Sequence, residues 1–199
     1  MKAGLWIFIA FLVCGCEHSV PVASPIQQPP AAPSAPKTVG IFYADDLAHY
    51  RCETGKGYIF DRYVFELGPQ SIAMFDTIFS GLFQKIDHLA KEPADGGEVG
   101  RDTITMHLVG FDGCEASWPI LGTTTIHVAY EGVFRSKAGD IARVRGAGQA
   151  DSYDIESTEM TDAALYLGGL LQIAMRRAAA QFVLEFEQRP ELQDWRSGL

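Results

Sequence analysis

No stretch of this 199-residue chain is apolar for the roughly 20 residues a helix needs to cross a bilayer. The continuous apolar run over residues 5–13 (LWIFIAFLV) is too short, which excludes a permanent transmembrane helix there. Basic residues are scarce: 16 Lys and Arg stand against 25 Asp and Glu, for a net charge of −9. That balance excludes nucleic acid as a partner, because phosphates need Lys and Arg to neutralise them. It also opposes charge-driven adsorption on anionic lipid. Cysteine is rare, with four in all, and no CxxC pair exists, so a catalytic disulfide is not expected. Ser71 and Ser117 lie in no GxSxG turn. Gly146-Ala147-Gly148 lacks the strand–helix context of a phosphate loop.

What is present begins at the N-terminus. Lys2 supplies a positive region, residues 5–13 a short apolar one, and Val13-Cys14-Gly15-Cys16 has the form of a lipoprotein cleavage site. Cys16 is then the lipidated first residue of the mature chain. Modification of Cys14 fits worse, since Val13 would sit at the cleavage position. The plainer alternative is an ordinary export signal cut nearby. Two or three acyl chains on Cys16 would anchor stably, whereas one binds only marginally. Glu17 follows, where Asp is associated with retention at the inner membrane in sorted bacterial lipoproteins, so the periplasmic face of the outer membrane is the expected address. Loss of Lys2 with residues 1–15 takes the net charge from −9 to −10.

Three units follow: residues 1–15 as signal peptide, 16–37 as lipidated cysteine and proline-rich linker, and 38–199 as a single periplasmic domain, an ordinary size for one core. Pro21, Pro25, Pro29, Pro30, Pro33 and Pro36 favour extended polyproline II at about 3.1 Å per residue. Such a linker would reach up to about 60 Å, as a tether toward a partner or as a plain spacer. In an oxidising compartment Cys52 and Cys114 form an even pair, and a disulfide between them is expected over two separate thiols.

The hydropathy pattern gives strands over residues 38–44 and 58–67, drawn together as a long-tipped hairpin. Gly68-Pro69 opens a helix whose apolar stripe is Phe75, Ile78, Phe79, Leu82, Phe83 and Ile86. After a turn-rich loop over 91–100 come strands at 102–111, 123–134 and 141–147, then a helix over 161–187 with Leu167, Leu171, Ala174, Ala178 and Phe182 inward. Thr161 is its expected N-cap, with Asp162 favourable beside it. Gly168-Gly169 inside it implies a close backbone approach to the sheet or first helix. Pro190 ends the helix and a polar tail follows. The fold class is α+β: an antiparallel sheet of four to five strands with two helices on one face.

Site chemistry is thin. Tight hairpins would set His107 near His127 and Glu131 near Arg145. Two imidazoles begin a metal site, but no third ligand is fixed, and solvated strand histidines are the simpler reading. Asp45-Asp46 with Asp61 reads as solvated loop acids. Phe111 with Trp118 and Pro119 is the candidate partner contact, or else a loop tucked over the core. No catalytic residue, metal or cofactor is expected.

Leu67-Gly68-Pro69-Gln70-Ser71, running on through Phe75-Asp76 to Phe83, resembles the LG(P)xSxxxFDxLFxxLF stretch of uncharacterised putative lipoproteins. With the cleavage site, proline-rich segment and element order, the layout resembles small Gram-negative outer-membrane lipoproteins, coarsely those of LptE, YajG and CsgG type. That resemblance implies a non-enzymatic scaffold or accessory subunit of an envelope assembly or transport complex. Its expected partners are the membrane, through the N-terminal lipid anchor, and an envelope protein. A binder of a small molecule, lipid or glycan is the alternative, and a metal-dependent or hydrolytic enzyme a third.

Overall fold

The computed structural model describes residues 17–22, 34–54, 62–93, 101–115, 124–155 and 162–198. The segment expected as an export signal, Cys16, most of the proline-rich stretch, Asp61, Ser117, Trp118, Pro119 and Thr161 lie outside the described residues. In chain order the elements are β1 (Glu17–Ser19), β2 (Ala35–Tyr43), α1 (Asp45–Ala48), β3 (Arg51–Glu53), β4 (Arg62–Glu66), α2 (Gly68–Leu82) and β5 (Phe83–His88). Then come β6 (Thr103–Phe111), β7 (Thr125–Ser136), β8 (Gly139–Asp151), α3 (Ala163–Gln188) and α4 (Pro190–Ser197). Short 3-10 turns stand at Gly113–Glu115 and Ser152–Asp154.

The chain is α+β, with a five-stranded sheet in the order β5-β2-β6-β7-β8 and a small sheet in the order β1-β4-β3. The five strands and the helices on one face match the expectation. The direction of pairing matches only in part. β6, β7 and β8 are antiparallel, but β2 runs parallel to both its neighbours, β5 and β6. Parallel neighbours need a crossover, and α2 lies in the one between β2 and β5. The strands expected as a hairpin, β2 and β4, therefore stand in different sheets. β4 pairs instead with β3, antiparallel, and with β1, parallel.

Helix α2 stops earlier than its apolar stripe suggests. Phe83 turns to extended backbone at φ −127° and ψ 150°. From there Phe83 and Ile86 belong to β5, registered against Ala35 and Val39 of β2. Their spacing fits a helix as well as a strand, and pairing with β2 decides between them. The proline-rich span also starts later and ends earlier than expected. β1 occupies Glu17–Ser19, Val20 is 7% exposed in the core, and β2 begins at Ala35. Burying Val20 contributes roughly 1.5 kcal/mol.

The core lies between the large sheet and α2, α3 and α4, and it is aromatic. Phe75 meets Tyr130 at 5.0 Å and Phe182 at 5.2 Å between ring centroids. Phe134 meets Phe186 at 5.3 Å and Trp195 at 5.6 Å. The segment expected as a polar tail is helix α4, with Pro190 in its first turn and Gly198 closing it at φ 78°. Two inward residues, Leu192 and Trp195, are too sparse a pattern to read as a helix. Lys37 lies over the Trp195 ring, 4.2 Å from its centroid, and donates to the Trp195 carbonyl.

Helix α3 is capped by Asp162, whose carboxylate accepts from the N–H groups of Ala164 at 2.8 Å and Leu165 at 3.2 Å. It lies against β8, where glycines take the place of side chains. A Cβ on Gly148 would stand 2.0 Å from the Ala174 carbonyl oxygen, and one on Gly146 2.2 Å from that of Ala178. The G-x-G of the strand thus meets A-xxx-A of the helix, backbone to backbone. Gly168 of α3 serves a different contact from the one expected. Its missing Cβ makes room for the Pro21 carbonyl, 2.1 Å from where that carbon would be. The free edge of β8 is partly covered by α3: the Ala147 N–H donates to Gln181 at 2.9 Å, and Arg177 donates to the Gln149 carbonyl at 2.6 Å.

Arg177 also grips Asp154 with two bonds, 2.8 and 2.6 Å, fastening the turn after β8 to the helix. The Arg177 hydrogen bonds, then one from the Asp151 backbone, hold the Asp154 carboxyl below its ordinary value of 3.8. A lowered native pKa adds stability above the unfolded value, and that stability fades as pH falls through the native one. Asp154→Asn should therefore flatten the loss of stability below about pH 4. Urea melts across that range test it; a slope equal to the parent's would overturn it.

Candidate functional site

A disulfide joins the small sheet to the end of the large one. Cys52 of β3 is bonded to Cys114 of the 3-10 turn after β6, with the Cα atoms 5.8 Å apart. This is the pairing expected from the cysteine count. Around it, Phe111 sets its ring edge-on to Tyr50 at 5.7 Å and to Phe65 at 5.4 Å. Of the three candidate partner-contact residues, Phe111 thus packs against the core. Trp118 and Pro119 lie outside the described residues.

Residues of the Leu67–Asp76 stretch take structural roles one by one. Leu67 is buried at the helix start. Gly68 lies so close to the Ala48 carbonyl that a Cβ would come within 2.1 Å of it. Pro69 occupies the first turn, where a missing N–H costs nothing. Ser71, fully buried, shares a 2.8 Å hydrogen bond with the Tyr130 hydroxyl. Burial pushes the Tyr130 phenol above its ordinary value, with the Ser71 bond opposing the shift. Phe75 enters the aromatic core.

Asp76 faces the sheet edge. Its Oδ1 accepts from the Tyr43 hydroxyl at 2.6 Å and stands 3.1 Å from His88 Nε2. The Tyr43 and His88 rings meet edge-on at 5.8 Å. Burial raises the Tyr43 phenol, and the Asp76 hydrogen bond and negative charge raise it further, so Tyr43 stays a neutral donor. Asp76, Thr77, Ser80 and Gly81 line a shallow recess beside this cluster. The local pattern hides the grouping of Tyr43, Asp76 and His88, because Phe83 and Ile86 continue a helical spacing and only pairing with β2 makes β5 a strand.

On the helix-free face of the large sheet the expected histidine pair does not form. His107 stands opposite Glu131, and His127 opposite Gln149. His107 Nδ1 instead lies 2.9 Å from Asp46, one of the acids expected to be merely solvated. The ladder ends at Phe111 with Val128, so the connection between the two strands is longer than a tight hairpin centred on the histidines assumes. Glu131 and Arg145 are opposite, as expected. Glu131, whose side chain is 7% exposed, meets Arg145 at 2.5 Å and Arg143 at 3.2 Å. Among the described residues no three His, Cys, Asp or Glu side chains converge as metal ligands.

Thr105 sits on the same face, 1% exposed, and its hydroxyl has no hydrogen-bond partner among the described residues. An unsatisfied buried hydroxyl costs about 1–3 kcal/mol. Thr105→Val keeps the shape and removes that cost, so it should raise stability by about 1 kcal/mol. Denaturant unfolding measures it, and a variant less stable than the parent would refute it.

The fold has a solved counterpart. It is similar to the crystal structure of a Xanthomonas campestris protein of the family DUF330, with a TM-score of 0.54 and 11% identity. The match covers 90% of this chain and 99% of that one. At that identity the likeness is one of fold. No protein-family model matches the chain, and no curated protein matches it.

Proposed function

We propose that this chain is a non-catalytic lipoprotein, anchored through Cys16 to the periplasmic face of the outer membrane. There it serves as a scaffold or accessory subunit of an envelope assembly or transport complex. One observation carries the reading: the polar residues of the motif-like stretch are used to hold the fold. Ser71 bonds Tyr130, and Asp76 bonds Tyr43 and His88. A catalytic motif aims such groups at a substrate, whereas here they tie α2 to β7, β2 and β5. The disulfide adds support, since it suits an oxidising compartment. The export signal, the cysteine at its end and Glu17 in place of Asp complete the argument.

The alternative, a binder of a small molecule, lipid or glycan, draws on the shallow recess beside Asp76. Between sheet and helices, aromatic side chains fill the space a buried ligand would need.

Metabolic labelling with a palmitate analogue tests the anchor. The parent should take the label and fractionate with outer membranes, and Cys16→Ser should lose both. Crosslinking in intact cells tests the scaffold role. One stoichiometric envelope protein should be recovered, and recovery of abundant porins alone would count against it.

A further inference from the structure

We infer that the lipid anchor holds this domain flush against the phospholipid head groups, small sheet first, with no tether between. The inference rests on the reading of Cys16 as the acylated residue. Cys16 is one peptide from Glu17, and consecutive Cα atoms lie about 3.8 Å apart. Glu17 already belongs to β1, registered against Arg62 of β4. His18 stacks on Tyr63 at 5.7 Å. The Val20 N–H donates to the Val64 carbonyl at 2.9 Å, and the Val20 side chain is buried in the core. The Pro21 carbonyl fills the space left by the missing side chain of Gly168. The chain is therefore fastened to the body from its first residue after the cysteine.

The proline-rich residues 23–33 do not alter this. They leave the body at Val22 and rejoin it at Ser34, next to β2. Whatever their path, both ends are on the domain, so their length adds nothing between the acyl chains and the protein.

The rim that meets the membrane is the charged face of the small sheet around Glu17. Arg51 pairs with Glu17 at 2.9 Å and with Glu66 at 4.0 Å, and Arg62 pairs with Glu53 at 3.2 Å. Among the described residues, three carboxylates against two guanidinium groups leave this rim close to neutral on a chain of net charge −9. An anionic bilayer repels an acidic protein, and a paired, near-neutral rim is a part that approaches it at low cost. Arg51 and Arg62 are both about half exposed, and guanidinium groups suit head-group phosphates.

Neutron reflectometry on the natively acylated full chain tests this, in a supported bilayer of phosphatidylethanolamine and phosphatidylglycerol. Protein density should begin at the head groups with no resolved water layer. A flexible Gly-Ser insertion between Cys16 and Glu17 leaves the fold untouched and should open such a layer. Val20→Asp, which detaches β1, should open one of tens of ångströms, the reach of extended proline-rich chain. An acylated parent that already shows a layer as thick as the insertion variant's would overturn the inference and leave the lipoprotein reading standing. Mass spectrometry finding Cys16 without acyl groups would overturn the reading itself.

Discussion

Gly148→Ala should lower the stability of this protein by about 3 kcal/mol, the upper part of the range for overpacking a tight contact. The added carbon would lie 2.0 Å from the Ala174 carbonyl oxygen and 2.4 Å from the Ala178 nitrogen. Both obstacles are helix backbone, so no side-chain rotation relieves them, and α3 has to move away from β8. That movement is opposed along the helix. Phe182 would lose its fit against Phe75 and over Gly132, and Phe186 its contact with Phe134. Gly146→Ala should behave alike, because its Cβ would stand 2.2 Å from the Ala178 carbonyl oxygen. For a chain of this length the cost corresponds to a melting temperature lower by roughly 6–12 °C. Differential scanning calorimetry decides it. A variant melting with the parent would mean that α3 and β8 are further apart than described.

Breaking the Cys52–Cys114 bond has the other large expected effect. The bond closes a loop over a sequence separation of 62, and the chain-entropy model assigns such a closure about 4 kcal/mol. Its position adds a second consequence. β3 touches the large sheet's end through this bond, and Tyr50 lies 3.5 Å from the Cys114 sulfur. Without the bond, the small sheet keeps its packing through Phe65, Tyr63 and Val20. Cys52→Ser with Cys114→Ser should shift the urea midpoint of unfolding down by that energy. A shift under about 1 kcal/mol would show that the native ensemble gains little from the link.

Much of this architecture is legible in the residues, and the failures share a cause. The start of α2 follows from Pro69, and its inward face from Phe75, Ile78, Phe79 and Leu82, because three-and-four spacing survives any tertiary context. The inward face of α3 is read the same way. Glu131 opposite Arg145 follows from two strands joined by a short turn. β5 is different: Phe83 and Ile86 continue a helical spacing, and only β2, far away in sequence, makes them a strand. With β5 taken for helix, the parallel half of the sheet and the Tyr43–Asp76–His88 cluster both become invisible. β1 is hidden likewise, since Pro21 and the prolines beyond it mask a strand of three residues. A tight turn would set His107 opposite His127, whereas the longer connection carries Glu131 to that place. In each case a contact distant along the chain outweighs the local pattern.

The hydrogen bonds that join Gln181 and Arg177 to the outer border of β8 have a consequence for self-association. A bare border thirteen residues long would be a template on which identical chains add end to end into fibrils. Here a donor at Ala147 and an acceptor at Gln149 are already occupied by the protein's own helix. The molecule thereby resists self-templating at that border.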